Sequence, residues 1–266
     1  MRFRTVDVAV ALGLSCALAG VATAQPGEAD RPLTGRDIAL RMDAVDTSKD
    51  SSSQATMTIT RKGKTLVRKL ITYSKVYGGD ERSLIRFQHP SDIKDVTYLI
   101  WSYQGLEKLD DIWVYLPAAN LVRRISGASK HASFMRSDLA NEDIQEKDDV
   151  EEYDYKILGS EIIDGVDCYI LERIPKEGKD TQYSKQVEWI RKDNWLRQRS
   201  EYYDKKGKYL KTATYNRHQL IDGIWTITMV TVETPKKQSK TVVEWQRLQY
   251  NVGLEDNLFE HSQLQR

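Results

Sequence analysis

Cysteine, histidine and proline are scarce in this sequence, and its charges nearly cancel. The 266 residues include 2 Cys, 4 His and 6 Pro, with 40 Lys and Arg against 39 Asp and Glu. Two cysteines exclude a disulfide-stapled scaffold, and a net charge of +1 gives no general attraction to nucleic acid. Beyond the first 24 residues no apolar run is long enough to cross a bilayer. The composition therefore predicts a folded protein without a nucleic-acid partner.

Recognisable catalytic and metal-binding motifs are also missing. The four histidines are His89, His131, His218 and His261. None is spaced from another histidine or from Cys168 as metal ligands are. There is no Gly-x-Ser-x-Gly elbow, phosphate-binding loop or dinucleotide fingerprint. We predict that the protein is not an enzyme and has no metal and no cofactor. A secreted hydrolase with an unrecognised site is the alternative.

The first 24 residues have the pattern of a signal peptide. Two early arginines form a positive start, residues 8–21 form a short apolar stretch, and residues 22–24 (Ala-Thr-Ala) match a cleavage site. We predict export and cleavage after Ala24, with residues 25–33 as a flexible mature N-terminus. Cys16 would leave with the signal peptide. Cys168, in a strand-like stretch, is then expected to be a buried structural thiol.

One helix precedes a long series of strands. Thr34 is a plausible N-cap with Asp37 three residues on, and apolar spacing predicts a helix over 35–46. From Ala55 onward apolar residues alternate with polar ones, which is typical of half-buried strands. Strand-like runs continue to about residue 250, and turns such as Asp164-Gly165 join them locally.

These runs predict a mainly β fold, a large curved antiparallel sheet of about 10–11 strands in one domain over 34–266. Such a sheet curls, so its concave face must be filled, closed or used for a ligand. Arg197, Arg199 and Glu201 alternate with their neighbours and are expected on a solvated convex face.

Residues 89–152 interrupt the regular meander. Within them, residues 133–144 have apolar residues at helical spacing, with acidic residues between. We call residues 133–144 the lid segment, because a short helix there is expected to lie across the sheet. An ordinary core-packing helix is the alternative.

The most distinctive stretches are Ile112-Trp113-Val114-Tyr115-Leu116-Pro117, Val122-Arg123-Arg124-Ile125, and Ser133-Phe134-Met135-Arg136-Ser137-Asp138-Leu139 followed by Glu142-Asp143. With them the chain, from about residue 34 to its end, resembles the LolA-like outer-membrane lipoprotein-sorting proteins. The resemblance implies a half-open β-barrel, a helical lid over an apolar cavity, and carriage of lipid or lipoprotein acyl chains across the periplasm. It also implies an inner-membrane transporter of the RND type as a partner. A monomer is favoured.

Candidate cavity and lid residues are the large apolar side chains of the central strands and the lid segment. They are Leu99, Trp101, Trp113, Tyr115, Phe134, Met135, Leu139, Trp189, Trp225, Ile227 and Met229. For each of them an ordinary core position is the alternative. At the level of function, a ligand-sensing or scaffold module that regulates a membrane partner, without net lipid transfer, is the alternative to a carrier.

Overall fold

The computed structural model describes residues 31–144 and 149–265. The predicted signal peptide and most of the predicted flexible N-terminus lie outside the described residues. Contacts between Cα atoms group Leu33–Arg266 into one compact unit.

Helix α1 spans Gly35–Asp43 and begins as the sequence predicts. The Thr34 hydroxyl accepts from the Asp37 N–H, and the Asp37 carboxylate accepts from the Thr34 N–H at 2.8 Å. This reciprocal capping satisfies two amide groups at the start of the helix. The helix ends three residues before the predicted end. Ile38 is fully buried against Leu171 and Ile190, which holds α1 on the sheet.

Within the described ranges, thirteen strands form a single antiparallel sheet. The first six are β1 (Asp50–Arg61), β2 (Lys64–Tyr77), β3 (Asp80–His89), β4 (Thr97–Ser102), β5 (Asp111–Leu116) and β6 (Leu121–Ile125). The remaining seven are β7 (Tyr153–Ile163), β8 (Val166–Pro175), β9 (Tyr183–Arg191), β10 (Arg197–Asp204), β11 (Tyr209–Ile221), β12 (Ile224–Thr234) and β13 (Ser239–Tyr250).

The strand order is β6-β5-β4-β3-β2-β1-β13-β12-β11-β10-β9-β8-β7. The predicted mainly β, half-barrel fold with an open, curved sheet is confirmed. The strand number exceeds the predicted 10–11 because β4, β5 and β6 continue the meander, whereas the sequence suggested a break there. Since β6 and β7 are the two edges of the sheet, the described residues 126–144 and 149–152 belong to the connection between these edges.

The two faces of the sheet carry different side chains. Met57, Leu70 and Ile85 belong to the largest core cluster, on the face that we call inner. Leu84 and Leu99 alternate with inner-face neighbours and therefore point to the outer face, where they form a second cluster.

The C-terminal segment, residues 254–264, covers this outer cluster. Its 3-10 turns are Asp256–Phe259 and His261–Gln263. Phe259 and Leu264 are fully buried, and the Trp101 indole N–H donates to the Phe259 carbonyl at 3.1 Å. The outer face at β3–β5 is therefore core, not solvated surface.

The lid segment is not the predicted helix. It forms two 3-10 turns, Phe134–Arg136 and Asn141–Ile144. An antiparallel bridge between Ser133 and Ala140 encloses the first of them. Met135 and Arg136 have φ angles of 47° and 64°, which a right-handed helix does not permit. The spacing of the apolar residues does not distinguish a helix from tight turns, because a tight turn also places apolar residues on one side. Further 3-10 turns are Ser91–Ile93, Pro117–Ala119, Gly127–Ser129, Val150–Glu152 and Pro235–Lys237.

Strand β10 departs from simple alternation. Its pairing with β9 shifts between Arg197 and Arg199. The two arginines therefore lie on opposite faces, which corrects the prediction that both are solvated on the convex side. Arg199 lies over the Trp189 ring at 4.8 Å on the outer face, whereas Arg197 points inward.

Candidate functional site: a lidded cavity on the inner face

A cavity of about 410 Å³ lies between the lid segment and the inner face. Its apolar wall is formed by the lid and by the centre of the sheet: Met57, Leu70, Ile85, Phe134, Leu139, Ile144, Val230, Val232, Val243 and Trp245. Its polar wall is formed mainly by β8–β11: Arg173, Gln186, Glu188, Arg197, Tyr202 and Tyr215. The cavity is thus amphipathic, which corrects the expectation of an apolar one.

Aromatic rings fix the first turn of the lid segment on the sheet. The Phe134 ring centroid lies 5.0 Å from that of Tyr98, edge to face, and 5.8 Å from that of Phe87. Burial raises the pKa of Tyr98 to about 12, so its hydroxyl is neutral at physiological pH. The Arg68 guanidinium donates to the Met135 carbonyl, which adds a charge-assisted bond to this contact.

Asp138 anchors the middle of the lid segment to β13. Its carboxylate accepts from the Ser239 hydroxyl at 2.9 Å and from the Thr241 hydroxyl at 2.7 Å. The Asp138 N–H in turn donates to the Thr241 oxygen at 2.9 Å. All three residues are buried, so the contacts are sheltered from water.

Asp143 anchors the end of the lid segment to β9 and β11. Its carboxylate accepts from the Tyr183 hydroxyl at 2.7 Å and forms an ion pair with the buried Lys211 ammonium. That ammonium also lies over the rings of Tyr183 and Tyr202, at 5.2 and 4.9 Å. Burial raises the pKa of both tyrosines well above the usual value, so both remain neutral hydrogen-bonding groups.

Glu142 joins the lid segment to the β8–β9 loop. Its carboxylate accepts from the Gln182 N–H at 3.2 Å. Burial is the main cause that raises the pKa of Glu142, and the neighbouring Asp143 carboxylate adds to it. The lid is therefore attached to both halves of the sheet.

A charge cluster of the buried Arg173 and Glu188 and the partly exposed Arg197 forms the end of the cavity beneath α1. The Glu188 carboxylate accepts from the Arg197 Nε at 2.8 Å, and the Arg173 Nε lies 4.0 Å from the same oxygen. These three residues also line a second cavity of about 180 Å³ beside α1, so they divide the interior in two. The other Glu188 carboxylate oxygen is buried without a hydrogen-bond partner among the described residues.

Three of the candidate residues predicted from the sequence line the cavity: Phe134, Leu139 and Ile227. Met135 packs against the inner cluster without lining the cavity. Met229 is half-buried, and Trp225 is 41% exposed at the end of β12. The structure therefore brings the lid candidates together with only one of the strand candidates.

The other candidates belong to the outer face. Leu99, Trp101, Trp113 and Tyr115 pack against the C-terminal segment. Trp189 is buried with Cys168 and Val187, and its indole N–H donates to Glu161 at 2.6 Å. None of these five candidates lines the cavity, because neighbouring strand residues face opposite sides of the sheet and the sequence does not say which side is inner.

Several lining residues were missed by the sequence reasoning. Alternation around Met57 was visible and could have indicated a buried face. Nothing local marks Arg173, Glu188 or Arg197, because their roles depend on strands that are distant in sequence. Among the described residues no cluster of His, Cys, Asp and Glu could hold a metal ion. Their helices all fall short of the length and hydrophobicity that a membrane span requires.

Comparisons with known proteins fit this architecture. A family model described as an uncharacterized protein matches residues 79–266. No curated protein matches the chain significantly. A solved DUF1329 family protein from Desulfovibrio piger is 60% identical, with a TM-score of 0.86 over 87% of this chain and 98% of that chain.

Two further structures are similar over 87% of this chain. A Vibrio parahaemolyticus domain assigned by name to outer membrane lipoprotein sorting is 31% identical over 98% of its own length, with a TM-score of 0.82. A LolA superfamily protein from Nitrosomonas europaea, 21% identical over 100% of its length with a TM-score of 0.70, shares the fold. Fold and cavity thus define a LolA-like half-barrel of the outer-membrane lipoprotein-sorting group. The 60% sequence identity to the Desulfovibrio piger protein shows that the chain belongs to the DUF1329 family.

Proposed function

We propose that this protein is a periplasmic carrier that binds an acyl chain of a lipid or lipidated protein and shuttles it toward the outer membrane. The observation that carries the proposal is the cavity of about 410 Å³ beneath the lid segment. Pockets for small ligands are commonly about 300–1,000 Å³. The name of the Vibrio relative and the predicted signal peptide, cleaved after Ala24, support the location and the cargo class.

The apolar wall supplies the binding energy in this proposal. Burial of a methylene contributes about 0.8 kcal/mol, so an acyl chain of roughly sixteen carbons gives on the order of 10 kcal/mol before opposing costs. No covalent chemistry is needed, which agrees with the prediction of a protein that is not an enzyme. The polar wall around Arg197 and Tyr202 would take the polar end of an amphipathic cargo.

The proposal extends to partners. The resemblance to the LolA-like group favours cooperation with an inner-membrane transporter of the RND type, from which the carrier would receive its cargo. We propose a monomer as the carrying form.

A substitution that fills the cavity tests the proposal. Ala213 is buried on the inner face and lines the cavity, so Ala213→Phe places a ring where the cargo would lie. We expect saturable binding of the fluorescent fatty acid cis-parinaric acid by the unmodified protein, and at least about tenfold weaker binding by Ala213→Phe, a loss of about 1.4 kcal/mol.

The control for this experiment is Thr212→Phe, next along the same strand and pointing to the other face. It should bind the probe as the unmodified protein does. Lipid extracted from protein purified from the envelope would identify the cargo by mass spectrometry. No probe binding and no copurifying lipid would contradict the carrier, and partner binding without lipid transfer would favour the sensing module.

A further inference from the structure

Strands β12 and β13 separate along half of their length. Their pairing runs from Thr234↔Ser239 to Met229↔Glu244 and stops there. Beyond that point β12 stays paired with β11 as far as Ile224, and β13 stays paired with β1 as far as Tyr250. A gap therefore opens within the sheet between residues 224–228 and residues 245–250. We call it the β12–β13 cleft.

A β-bulge accompanies the separation. The register between β1 and β13 shifts between Ser52 and Gln54, opposite residues 246–249, and Arg247 has a φ of 51°. A bulge bends its strand and strengthens the local twist. Strand β13 therefore follows β1 and turns away from β12.

The lidded cavity reaches this cleft. Thr226 and Ile227 both line the cavity, although neighbouring residues of a strand point to opposite faces. Because β12 has no β13 partner at these residues, the cavity extends to the free edge of the strand there. From the other side Trp245, Leu248 and Tyr250 line the same cavity.

The cleft has a polar contact at each end and an apolar rim. An ion pair of 2.7 Å joins Arg217 and Glu244 where the strands part. At the far end the Thr226 and Tyr250 hydroxyls are hydrogen-bonded at 2.8 Å across the gap. Outside lie Trp225 and its cross-strand partner Leu220, 41% and 59% exposed. Exposed apolar side chains beside a cavity mouth suit contact with a hydrocarbon chain.

The geometry points to the β12–β13 cleft as the portal through which a single alkyl chain enters and leaves the cavity, with the Thr226–Tyr250 hydrogen bond as its latch. The inference rests on the proposed carrier function and names the route to that same site. Opening the lid instead would break the buried Asp143–Lys211 ion pair and the Asp138 hydrogen bonds, which is costlier than breaking one bond between hydroxyls.

A reversible cross-link across the cleft tests the portal. Ile227→Cys and Gln246→Cys, in a Cys168→Ser background, are joined by a reducible bis-methanethiosulfonate linker. The control pair, Thr231→Cys and Val242→Cys, spans the paired part of the same two strands. Stopped-flow uptake of cis-parinaric acid should be at least about tenfold slower in the protein cross-linked across the cleft and unchanged in the cross-linked control. Reductant should restore the original rate.

A latch variant provides an independent measurement. Tyr250→Phe removes one hydroxyl of the bridge, and uptake should become about fivefold faster, the factor that one neutral hydrogen bond represents. Uptake unaffected by the cleft cross-link or by Tyr250→Phe, in protein that still binds the probe, would overturn the portal alone. Absence of binding by the unmodified protein would overturn the carrier and the portal together.

Discussion

At the scale of single residues, the carboxyl group of Glu142 in the lid segment makes the stability of the fold depend on pH. Its carboxylate loses hydration on folding and lies beside the Asp143 carboxylate, so its pKa is raised from the usual 4.5. The folded protein therefore holds this proton at a pH where the unfolded chain has released it. The stability that follows from this is fully present below pH 4.5 and is lost as pH rises through the folded-state pKa.

The variant Glu142→Gln tests this linkage. The neutral amide keeps an acceptor for the Gln182 N–H and removes the titration. We expect the free energy of unfolding of the wild type to fall, relative to that of the variant, between pH 4.5 and pH 7. Urea denaturation at the two pH values measures this difference. The exposed Glu177→Gln serves as the control, and an equal pH response in Glu142→Gln and wild type would contradict the linkage.

Cys168 is a second residue whose role burial decides. The thiol is fully buried on the outer face, and desolvation raises its pKa to about 11. A thiol with such a pKa is almost entirely protonated at neutral pH, so it is a poor nucleophile. The prediction that Cys168 is buried is confirmed.

At the scale of elements, strands β3–β5 divide their roles between two faces: the inner face lies toward the lid and the binding cavity, and the outer face supports the fold. The inner face carries the core cluster around the lid, and the outer face is sealed by the C-terminal segment. Because the outer cluster does not line the cavity, side chains there should support the fold without touching cargo.

Phe259→Ala tests this division. Phe259 is fully buried, so the change should lower the free energy of unfolding by about 3–5 kcal/mol. In conditions where the variant remains folded, its affinity for cis-parinaric acid should equal that of the wild type. Chemical denaturation and probe titration measure the two quantities. Leu121→Ala, at a half-exposed edge position, should change stability by less than about 0.5 kcal/mol. A loss of affinity in folded Phe259→Ala would contradict the division.

At the scale of the whole molecule, one continuous sheet and one crossover tie the two halves of the chain together. The β1–β13 junction joins the two meanders, and the lid segment is anchored on strands from both sides of it. Because neither half keeps its inner face covered alone, we propose that residues 34–266 unfold as one domain.

Equilibrium unfolding tests this unity. Tryptophan fluorescence, which reports residues in both halves of the sheet, and far-UV circular dichroism should show coincident transitions in urea. Saturating fatty acid should move both midpoints upward together, since a ligand that binds only the folded state stabilises all of it. Two separate transitions would contradict a single cooperative domain.

The sequence by itself determined the start of helix α1 and the positions of most strands. Thr34 and Asp37 capped the helix where predicted, and alternation with Asp-Gly turns located the strands, because capping and pleating depend on near neighbours in the chain. The resemblance carried by residues 113–143 supplied the family.

Only the tertiary structure decided which side chains meet. Three examples depend on partners that are distant in the sequence. Trp101 faces the C-terminal segment, Arg197 turns inward after a register shift, and Asp138 is anchored on β13. A one-residue shift reverses every following side chain, and local periodicity cannot report it. For the same reason the sequence predicted a curved sheet with a lid, whereas the amphipathic cavity and the β12–β13 cleft emerged only from the assembled fold.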